Sequence, residues 1–357
     1  MKNKLLAAAI LVYTLLFGFA SSPAHAQSTS SSGFSAAISP LPILLDVKPG
    51  NSVSTDLRVN NPSASPERLK VNVKTFTQDG ANGIVTLHDP KSSDDFINWI
   101  HFSRTEFDAP PGLWQTVKMT VDVPSSASFG YYFAVEFSSA NPVPKTANGA
   151  SLQGAVASFV LLNAQSPGEK RAMSVTSFTA DHRFYEFLPA KFTVRLHNSG
   201  NVYAGAAGNI FIMRGSKQVA VLNVNENHGL VLPASNRVFT ESWAEGFPVY
   251  KPVLDASGQP LKDKDGNPKM QLSWNFSQVS KLRFGHYTAK LALVYNDGSR
   301  DVPISGTVSF WVVPWRLIIG IILIIAAPAL LVYIIMRRRF NKRLEKERKR
   351  QGHAAAK

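Results

Sequence analysis

An uncharged apolar run, Leu317–Met336, is the strongest constraint on how this chain folds. A helix over these twenty residues would be about 30 Å long, which matches the hydrocarbon thickness of a bilayer. Tryptophans flank one end of the run and three arginines the other, which predicts one transmembrane helix with the C-terminal tail in the cytoplasm. The residues expected to anchor the helix at the two membrane interfaces are Trp311, Trp315, Arg316, Arg337, Arg338 and Arg339.

The N-terminus has the three parts of a secretory signal peptide. Two lysines are followed by an apolar stretch at 5–20, and Ala24 and Ala26 form a small-residue cleavage motif. We expect cleavage before Gln27, which removes residues 1–26. The alternative, an uncleaved N-terminal anchor, is disfavoured by the small residues. Together the two apolar segments predict a single-pass cell-membrane protein whose N-terminus lies outside.

The positive charge of the chain lies at its ends. There are 38 Lys and Arg against 24 Asp and Glu, but the tail at 337–357 alone holds ten basic and two acidic residues. Nucleic-acid binding needs clustered charge on a folded domain, so we expect no nucleic-acid partner. The chain has no cysteine, which excludes disulfides and thiolate metal sites. An exported, cysteine-free chain points to a bacterial envelope protein.

The exported segment reads as short β-strands separated by turns. Val117–Val123 alternates apolar and polar residues, as do Leu69–Val73 and Val53–Val59, and Gly, Pro and Asn lie between such runs. This pattern predicts antiparallel sandwiches. One short helix is expected near Phe96–Ile100, with Ser92 and Asp95 at capping-box spacing before it. We expect Asp94-Asp95 to cap this helix.

The two halves of this segment repeat the same motifs in the same order. Asn61 aligns with Asn198, and Phe129-Gly130 aligns with Phe284-Gly285. We therefore predict an all-β chain of two tandem immunoglobulin-like β-sandwiches followed by one transmembrane helix. The predicted divisions are a signal peptide at 1–26, a flexible leader at 27–33, a first sandwich at 34–165, a second at 171–313, a transmembrane helix at 317–336 and a basic tail at 337–357.

Each half has a Gly-x-Tyr motif at the start of a late strand, ending in Tyr132 and Tyr287. A tyrosine at this place in a sandwich can bond its hydroxyl back to the main chain, as in a tyrosine corner. The alternative is that both are ordinary core aromatics.

Motifs for catalysis are weak. The histidines are scattered, and neither metalloprotease nor nucleophile-elbow spacing occurs. Asp181-His182 is most simply a turn, and Asp263-Lys-Asp265-Gly266 begins like a calcium loop but lacks the downstream glutamate. We interpret it as a hairpin turn and expect no enzyme, cofactor or metal. The irregular segment 241–275 carries several aromatics, which either form a recognition surface or return to the core.

The layout resembles the WxL-interacting proteins of Gram-positive bacteria. In the first sandwich the resemblance rests on Asp79–Ile84, on Phe96–Trp99 before a strand, and on Val121–Pro124 with Phe129-Gly130. In the second it rests on Leu230–Ser235 with Gly285–Tyr287. It implies a peptidoglycan-binding-type sandwich, a second partner-binding sandwich, one membrane span and no catalysis. Where that family has a glycine-rich strand after its Phe-Gly, this chain has Tyr131-Tyr132-Phe133. We carry no contact residues across.

Three functions compete on the sequence alone. The favoured one is a non-enzymatic, membrane-anchored surface adaptor that binds a cell-wall polymer or a secreted surface protein. The second is an envelope assembly chaperone or scaffold acting by β-strand addition. The third is an envelope hydrolase with an unrecognised site, which would need carboxylates or histidines converging in a cleft.

Overall fold

The computed structural model describes residues 36–79, 82–141 and 154–354. The predicted signal peptide, its cleavage residues Ala24, Ala26 and Gln27, and the leader at 27–33 lie outside the described residues.

Within the described ranges, the first sandwich contains ten strands in two sheets. One sheet has the order β1-β3-β8-β6, and the other has the order β2-β10-β9-β4-β5, with β7 beside β4. The strands are β1 (Ala37–Ser39), β2 (Ile43–Val47), β3 (Ser52–Asn60), β4 (Glu67–Asp79), β5 (Ile84–His88), β6 (Ile100–Phe102), β7 (Glu106–Ala109), β8 (Trp114–Asp122), β9 (Phe129–Ser139) and β10 (Ala155–Ala164).

The alternating runs form the core of this sandwich. Val117, Met119 and Val121 of β8 are buried against the opposite sheet, while Lys118 between them is exposed. Leu57 and Val59 of β3 are fully buried in the same cluster. The period of two therefore places the core as the sequence predicts.

The second sandwich repeats this strand order. Its sheets have the orders β11-β13-β16 and β12-β20-β19-β14-β15. In both sandwiches the chain crosses from the first sheet to the second after its first strand. It then pairs in parallel with the last strand, as β2 does with β10 and β12 with β20. The strands are β11 (Met173–Ala180), β12 (Phe184–Tyr185), β13 (Ala190–Asn198), β14 (Ala206–Arg214), β15 (Lys217–Val224), β16 (Asn236–Trp243), β17 (Val249–Pro252), β18 (Met270–Ser273), β19 (Gly285–Asn296) and β20 (Asp301–Val312).

The two sandwiches differ most at one connection. In the first, β8 reaches β9 through residues 123–128, whereas in the second β16 reaches β19 through residues 244–284. That longer connection contains the β17–β18 hairpin and a 3-10 helix, Phe276–Lys281. It lies at the end of the second sandwich where β20 finishes, because Gly285 of β19 pairs with Val312.

A single long helix, α1 (Trp315–Ala354), follows β20. Its segment Trp315–Lys342 is long enough to cross a membrane, and the most apolar window within it has a mean hydropathy of 3.0 and no buried share. The helix continues into the predicted basic tail as far as Ala354, with Pro328 inside it. These features confirm the predicted fold class, two tandem immunoglobulin-like sandwiches followed by one apolar helix.

Two local expectations were wrong. The Asp94 carboxylate accepts a hydrogen bond from the Lys91 N–H, and it makes no capping bond to the 3-10 helix Asp95–Trp99. Tyr132 is not the counterpart of Tyr287, since Tyr131 and Tyr287 are the residues whose hydroxyls accept a bond from the N–H three residues earlier. Phe129, with a φ of +62°, therefore takes the place of Gly285, with a φ of +111°, so the two motifs align one residue away from the sequence match.

Candidate functional site

A cleft of about 330 Å³ lies between the two sandwiches. The first sandwich supplies a mainly apolar wall from β4, β5, β10 and the segment before β2. The second supplies the loop between β15 and β16. The lining residues are Leu41, Pro42, Phe76, Gln78, Gly83, Val85, Phe159, Leu161, Asn227, His228, Gly229, Leu230, Leu232 and Arg237.

The apolar wall consists of side chains that point away from the core of the first sandwich. Val160 and Leu162 of β10 are buried inside the sandwich, so Phe159 and Leu161 point outward. The Phe159 ring meets the Phe76 ring edge-to-face, with centroids 5.1 Å apart. Leu41 beside them keeps 60% of its surface exposed. The second face of this sheet is therefore apolar where the cleft opens.

The opposite wall is a loop held rigid by a buried asparagine. The Asn225 amide donates to the carbonyls of Ala206 and Gly229, at 2.8 and 2.9 Å, and its oxygen accepts from the Gly229 N–H. His228 has a φ of +50°, and its N–H donates to the Asn225 carbonyl. The loop thus presents its main chain to the cleft in one fixed conformation.

Arg237 is the cation of the cleft. Its Nη1 donates to the Leu230 carbonyl at 2.7 Å, and its guanidinium lies 5.4 Å from the centre of the Phe239 ring. Burial lowers the pKa of Arg237. Among the described residues no carboxylate lies within 4.0 Å of it. Burial, and after it the charge of Glu226, raises the pKa of Glu241 nearby.

Direct bonds fix the two sandwiches across the cleft. The Tyr132 hydroxyl accepts a hydrogen bond from the Tyr203 N–H at 3.0 Å, and their rings meet edge-to-face. The Gln78 amide donates to the Asn236 carbonyl at 3.1 Å. In the linker, the Asn201 oxygen accepts from the Lys170 N–H at 2.7 Å. The cleft is therefore a defined site held between two cores.

Unpaired strand edges border this cleft. Strand β5 pairs only with β4 in the described part of the chain, and its Ile84 is 63% exposed. Strand β2 pairs with only the second half of β10, from Val160 onward. On that side, residues 155–159 pair with no strand among the residues the structure describes, although the Ser158 hydroxyl donates to the Pro40 carbonyl. Such edges can accept an added strand.

The Asp263–Gly266 and Asp181-His182 motifs form turns or bends. The Asp263 carboxylate accepts from the N–H groups of Asp265 and Asn267, both at 2.9 Å, and Gly266 has a φ of +81°. Asp181 and His182 lie in a bend after β11, where the carboxylate contacts His182 Nδ1 at 3.2 Å and also accepts from the Tyr185 hydroxyl. No group of three or more histidine and carboxylate side chains forms a metal cluster within the described ranges.

Some aromatic side chains of segment 241–275 return to the core, and others are exposed at the surface. Trp243 is fully buried and Phe247 nearly so, while Trp274 is 44% exposed. Trp274 stacks on Phe276, which is 71% exposed. Phe276 begins the second 3-10 helix, which is capped by the Asn275 side chain.

The predicted interface residues lie at the two ends of the apolar segment. Trp311 is in β20, and Trp315 and Arg316 begin α1. Arg316 pairs with Glu186 of the second sandwich at 3.4 Å. Arg337, Arg338 and Arg339 follow the apolar run within α1.

The cleft escaped sequence analysis. Its residues come from segments far apart in the chain, and each alone looks like an ordinary strand or loop residue. The one available signal was Phe159 and Leu161, because their run interrupts the alternation in β10.

No protein-family model and no curated protein sequence matches this chain. Among solved structures, the class 5 fimbriae chaperone CfaA is similar at 14% identity and a TM-score of 0.33, covering 75% of this chain and 97% of its own. The CupB2 chaperone of Pseudomonas aeruginosa is similar at 9% identity and a TM-score of 0.33, covering 77% and 100%. Likenesses this distant add nothing to what the strand order shows.

Proposed function

We propose that this chain is a membrane-anchored binding protein without catalytic chemistry, which holds an extended segment of another exported protein in the cleft between its sandwiches. The single observation that carries this proposal is the cleft itself, with Phe76, Phe159 and Leu41 on one wall and Arg237 on the other. An extended polypeptide can place apolar side chains on the first wall while the cation receives a carboxylate or carbonyl.

The chemistry of the cleft favours a polypeptide over a cell-wall polymer. Its first wall is apolar, whereas a sugar chain offers many hydroxyls that need polar partners. The open edge of β5 beside Gly83 and Val85 adds main-chain donors and acceptors, which an extended segment satisfies. A secreted surface protein, as in the WxL-interacting layout, is therefore the proposed partner.

Site-specific photocrosslinking in cells that express the full chain tests this proposal. A benzophenone amino acid at Leu41 should form an adduct with an exported protein, and Phe159→Asp should abolish that adduct. Leu113 is the matched control, since it is 57% exposed but lies in the turn before β8, away from the cleft. Equal adducts from Leu41 and Leu113, or adducts that survive Phe159→Asp, would contradict the proposal.

An assembly chaperone is the second candidate, and the partly open edge of β10 favours it. A client strand that adds at 155–159 would bring its side chains next to Ala155, which is exposed. A photocrosslinker at Ala155 should then capture an unfolded subunit that trypsin digests completely. An adaptor should instead capture a folded, trypsin-resistant partner, and should do so from Leu41 rather than from Ala155.

We propose that α1 anchors the chain in the cell membrane with the sandwiches outside and the basic tail in the cytoplasm. The apolar segment followed by Arg337–Arg339 supports this orientation. Because the chain has no cysteine, single cysteines report the topology directly. An impermeant maleimide added to intact cells should label Ser299→Cys and should label Gln351→Cys only after permeabilisation. The reverse pattern would overturn the orientation.

A further inference from the structure

We propose that the second sandwich docks onto the lipid headgroup layer through an exposed apolar surface at its α1 end. This inference rests on the proposed membrane anchoring and adds a second contact with the same bilayer. We name the surface the collar. It consists of Phe184, Trp274, Phe276, Val279, Leu282 and Phe284.

The collar lies where the chain leaves the sandwich for α1. Phe184 pairs with Trp311 near the end of β20, and Phe284 directly precedes Gly285, which pairs with Val312. Only Val313 and Pro314 separate β20 from α1. Two residues span at most about 7 Å, so this end of the sandwich lies at headgroup level once α1 is in the bilayer.

The collar side chains face outward from a well-packed base. Phe276 and Phe184 are 71% and 70% exposed, whereas Phe247 beneath Phe276 is 9% exposed. The Phe247 ring contacts the rings of both Trp274 and Phe276, at 5.9 and 5.5 Å. The exposed rings are thus held in place at the surface. Tryptophan and phenylalanine are the side chains that favour the membrane interface.

The first sandwich shows what ordinarily covers this end. Its corresponding connection, 123–128, is short, and Val123 and Ala127 in it are buried. The neighbouring Tyr132 then contacts Tyr203 of the second sandwich. The same end of the second sandwich carries the long connection 244–284 and leads directly into α1. The second sandwich covers this end of the first sandwich, and we infer that the bilayer covers the corresponding end of the second.

Basic side chains accompany the apolar ones. Lys281 and Arg283 lie between the collar residues Val279 and Phe284 in the sequence, and Arg316 lies at the start of α1. Glu245 is within 4.0 Å of Lys281 and 3.8 Å of Arg283, and Glu186 is paired with Arg316. The single Glu245 balances only one of Lys281 and Arg283, so a net positive charge remains beside the exposed aromatic rings. Such a charge suits a phospholipid surface with its phosphate groups.

Depth measurements on the full chain in phosphatidylcholine nanodiscs, with and without phosphatidylglycerol, test the collar. Single cysteines at Val279, Ser299 and Ile324 carry an environment-sensitive fluorophore, and the lipids carry a shallow or a deep nitroxide quencher. Ser299 is the matched control, since its turn lies beyond the other end of β19, a strand about 40 Å long. Ile324 is the control for anchoring, since it lies in the apolar segment of α1.

We expect the shallow quencher to reduce the Val279 signal several-fold, the deep quencher to reduce the Ile324 signal, and neither to affect Ser299. Phe276→Ser with Phe284→Ser should weaken quenching at Val279 and leave Ile324 unchanged. If Val279 behaves like Ser299 while Ile324 is quenched, the collar proposal fails and anchoring stands. If Ile324 is unquenched, anchoring itself fails. Shielding of Val279 from aqueous iodide without lipid quenching would show a protein occupant and overturn the proposal.

Discussion

Asn61 and Asn198 make the same hydrogen bonds in the two sandwiches. The Asn61 amide donates to the carbonyls of Ser65 and Ala109, at 2.8 and 2.9 Å, and the Asn198 amide donates to those of Val202 and Val231, both at 2.9 Å. Each side-chain oxygen accepts from the N–H two residues later. Both side chains are buried. The same buried asparagine hydrogen-bond arrangement therefore stabilises the end of the equivalent strand in both sandwiches.

Replacing Asn198 with alanine should destabilise the second sandwich. The change leaves the Val202 carbonyl and the Gly200 N–H without a partner, while the Val231 carbonyl keeps its bond from the Ala204 N–H. Each buried unpaired group costs about 1–3 kcal/mol. We expect the free energy of unfolding to fall by about 2–4 kcal/mol, measured by urea denaturation of the full chain in detergent micelles. Asn51→Ala is the control, because Asn51 is exposed in a turn. An equal effect of the two changes would show that the buried amide contributes nothing.

Trp243 should contribute through its ring and not through its indole N–H. The side chain is fully buried against Tyr287 and Phe310, at centroid distances of 5.2 and 6.1 Å. Its Nε1 has no hydrogen-bond partner among the described residues. Trp243→Phe should therefore lower the unfolding free energy by about 1–2 kcal/mol and Trp243→Ala by about 3–5 kcal/mol. Thermal unfolding followed by near-UV circular dichroism measures both, and similar losses would contradict this account.

The sandwiches and their duplication could be predicted because they depend on local patterns. Period-two runs such as Val117–Val123 set the buried face, and the alignment of Asn61 with Asn198 marked the repeat. The positions of Asp94 and Tyr132 could not be predicted, because a shift of one residue changes which partner is in reach.

The cleft and the collar depend on tertiary arrangement. Phe159 points away from the core of its own sandwich and is half-buried. What covers it depends on the loop around Leu230, which lies far away in the sequence. In the same way, Phe276 reads like a core residue until the connection from β16 to β19 places it outside. An alternating pattern identifies the faces of a strand, but it does not say what covers the outer one.

The stability of the interface between the sandwiches should decline at alkaline pH. Burial raises the pKa of Tyr132, and burial is also the main cause of the raised pKa of Tyr203. A raised folded-state pKa means that stability is fully present below the unfolded value of 10.0 and falls as the pH rises above it. The midpoint of thermal unfolding, measured from pH 8 to pH 11.5, should therefore drop above about pH 10.

Tyr132→Phe should reduce this alkaline decline, because it removes one of the two phenols at the interface. Part of the decline should remain, since burial also raises the pKa of Tyr185 inside the second sandwich. It should also lower stability slightly at pH 8, since the Tyr203 N–H loses its acceptor. Tyr131→Phe is the matched control, since its hydroxyl bonds to Ser128 within the first sandwich. A decline that is as steep in Tyr132→Phe as in the unmodified chain would be inconsistent with the interface as its source.

Gly229 and Arg237 should be strongly coupled in a double-mutant cycle. A Cβ on Gly229 would come within 2.8 Å of the Arg237 Cζ, so Gly229→Ala should displace the guanidinium from the Leu230 carbonyl and destabilise the chain by about 1–2 kcal/mol. With Arg237→Ala already present the clash is gone, and we expect a coupling energy of about 1 kcal/mol in urea denaturation. Gly246→Ala is the control: it meets Leu188 at the other end of the sandwich, and its effect should simply add to that of Arg237→Ala. Additivity of Gly229→Ala with Arg237→Ala would mean that the guanidinium does not occupy this position in solution, and the cleft would lose its cation.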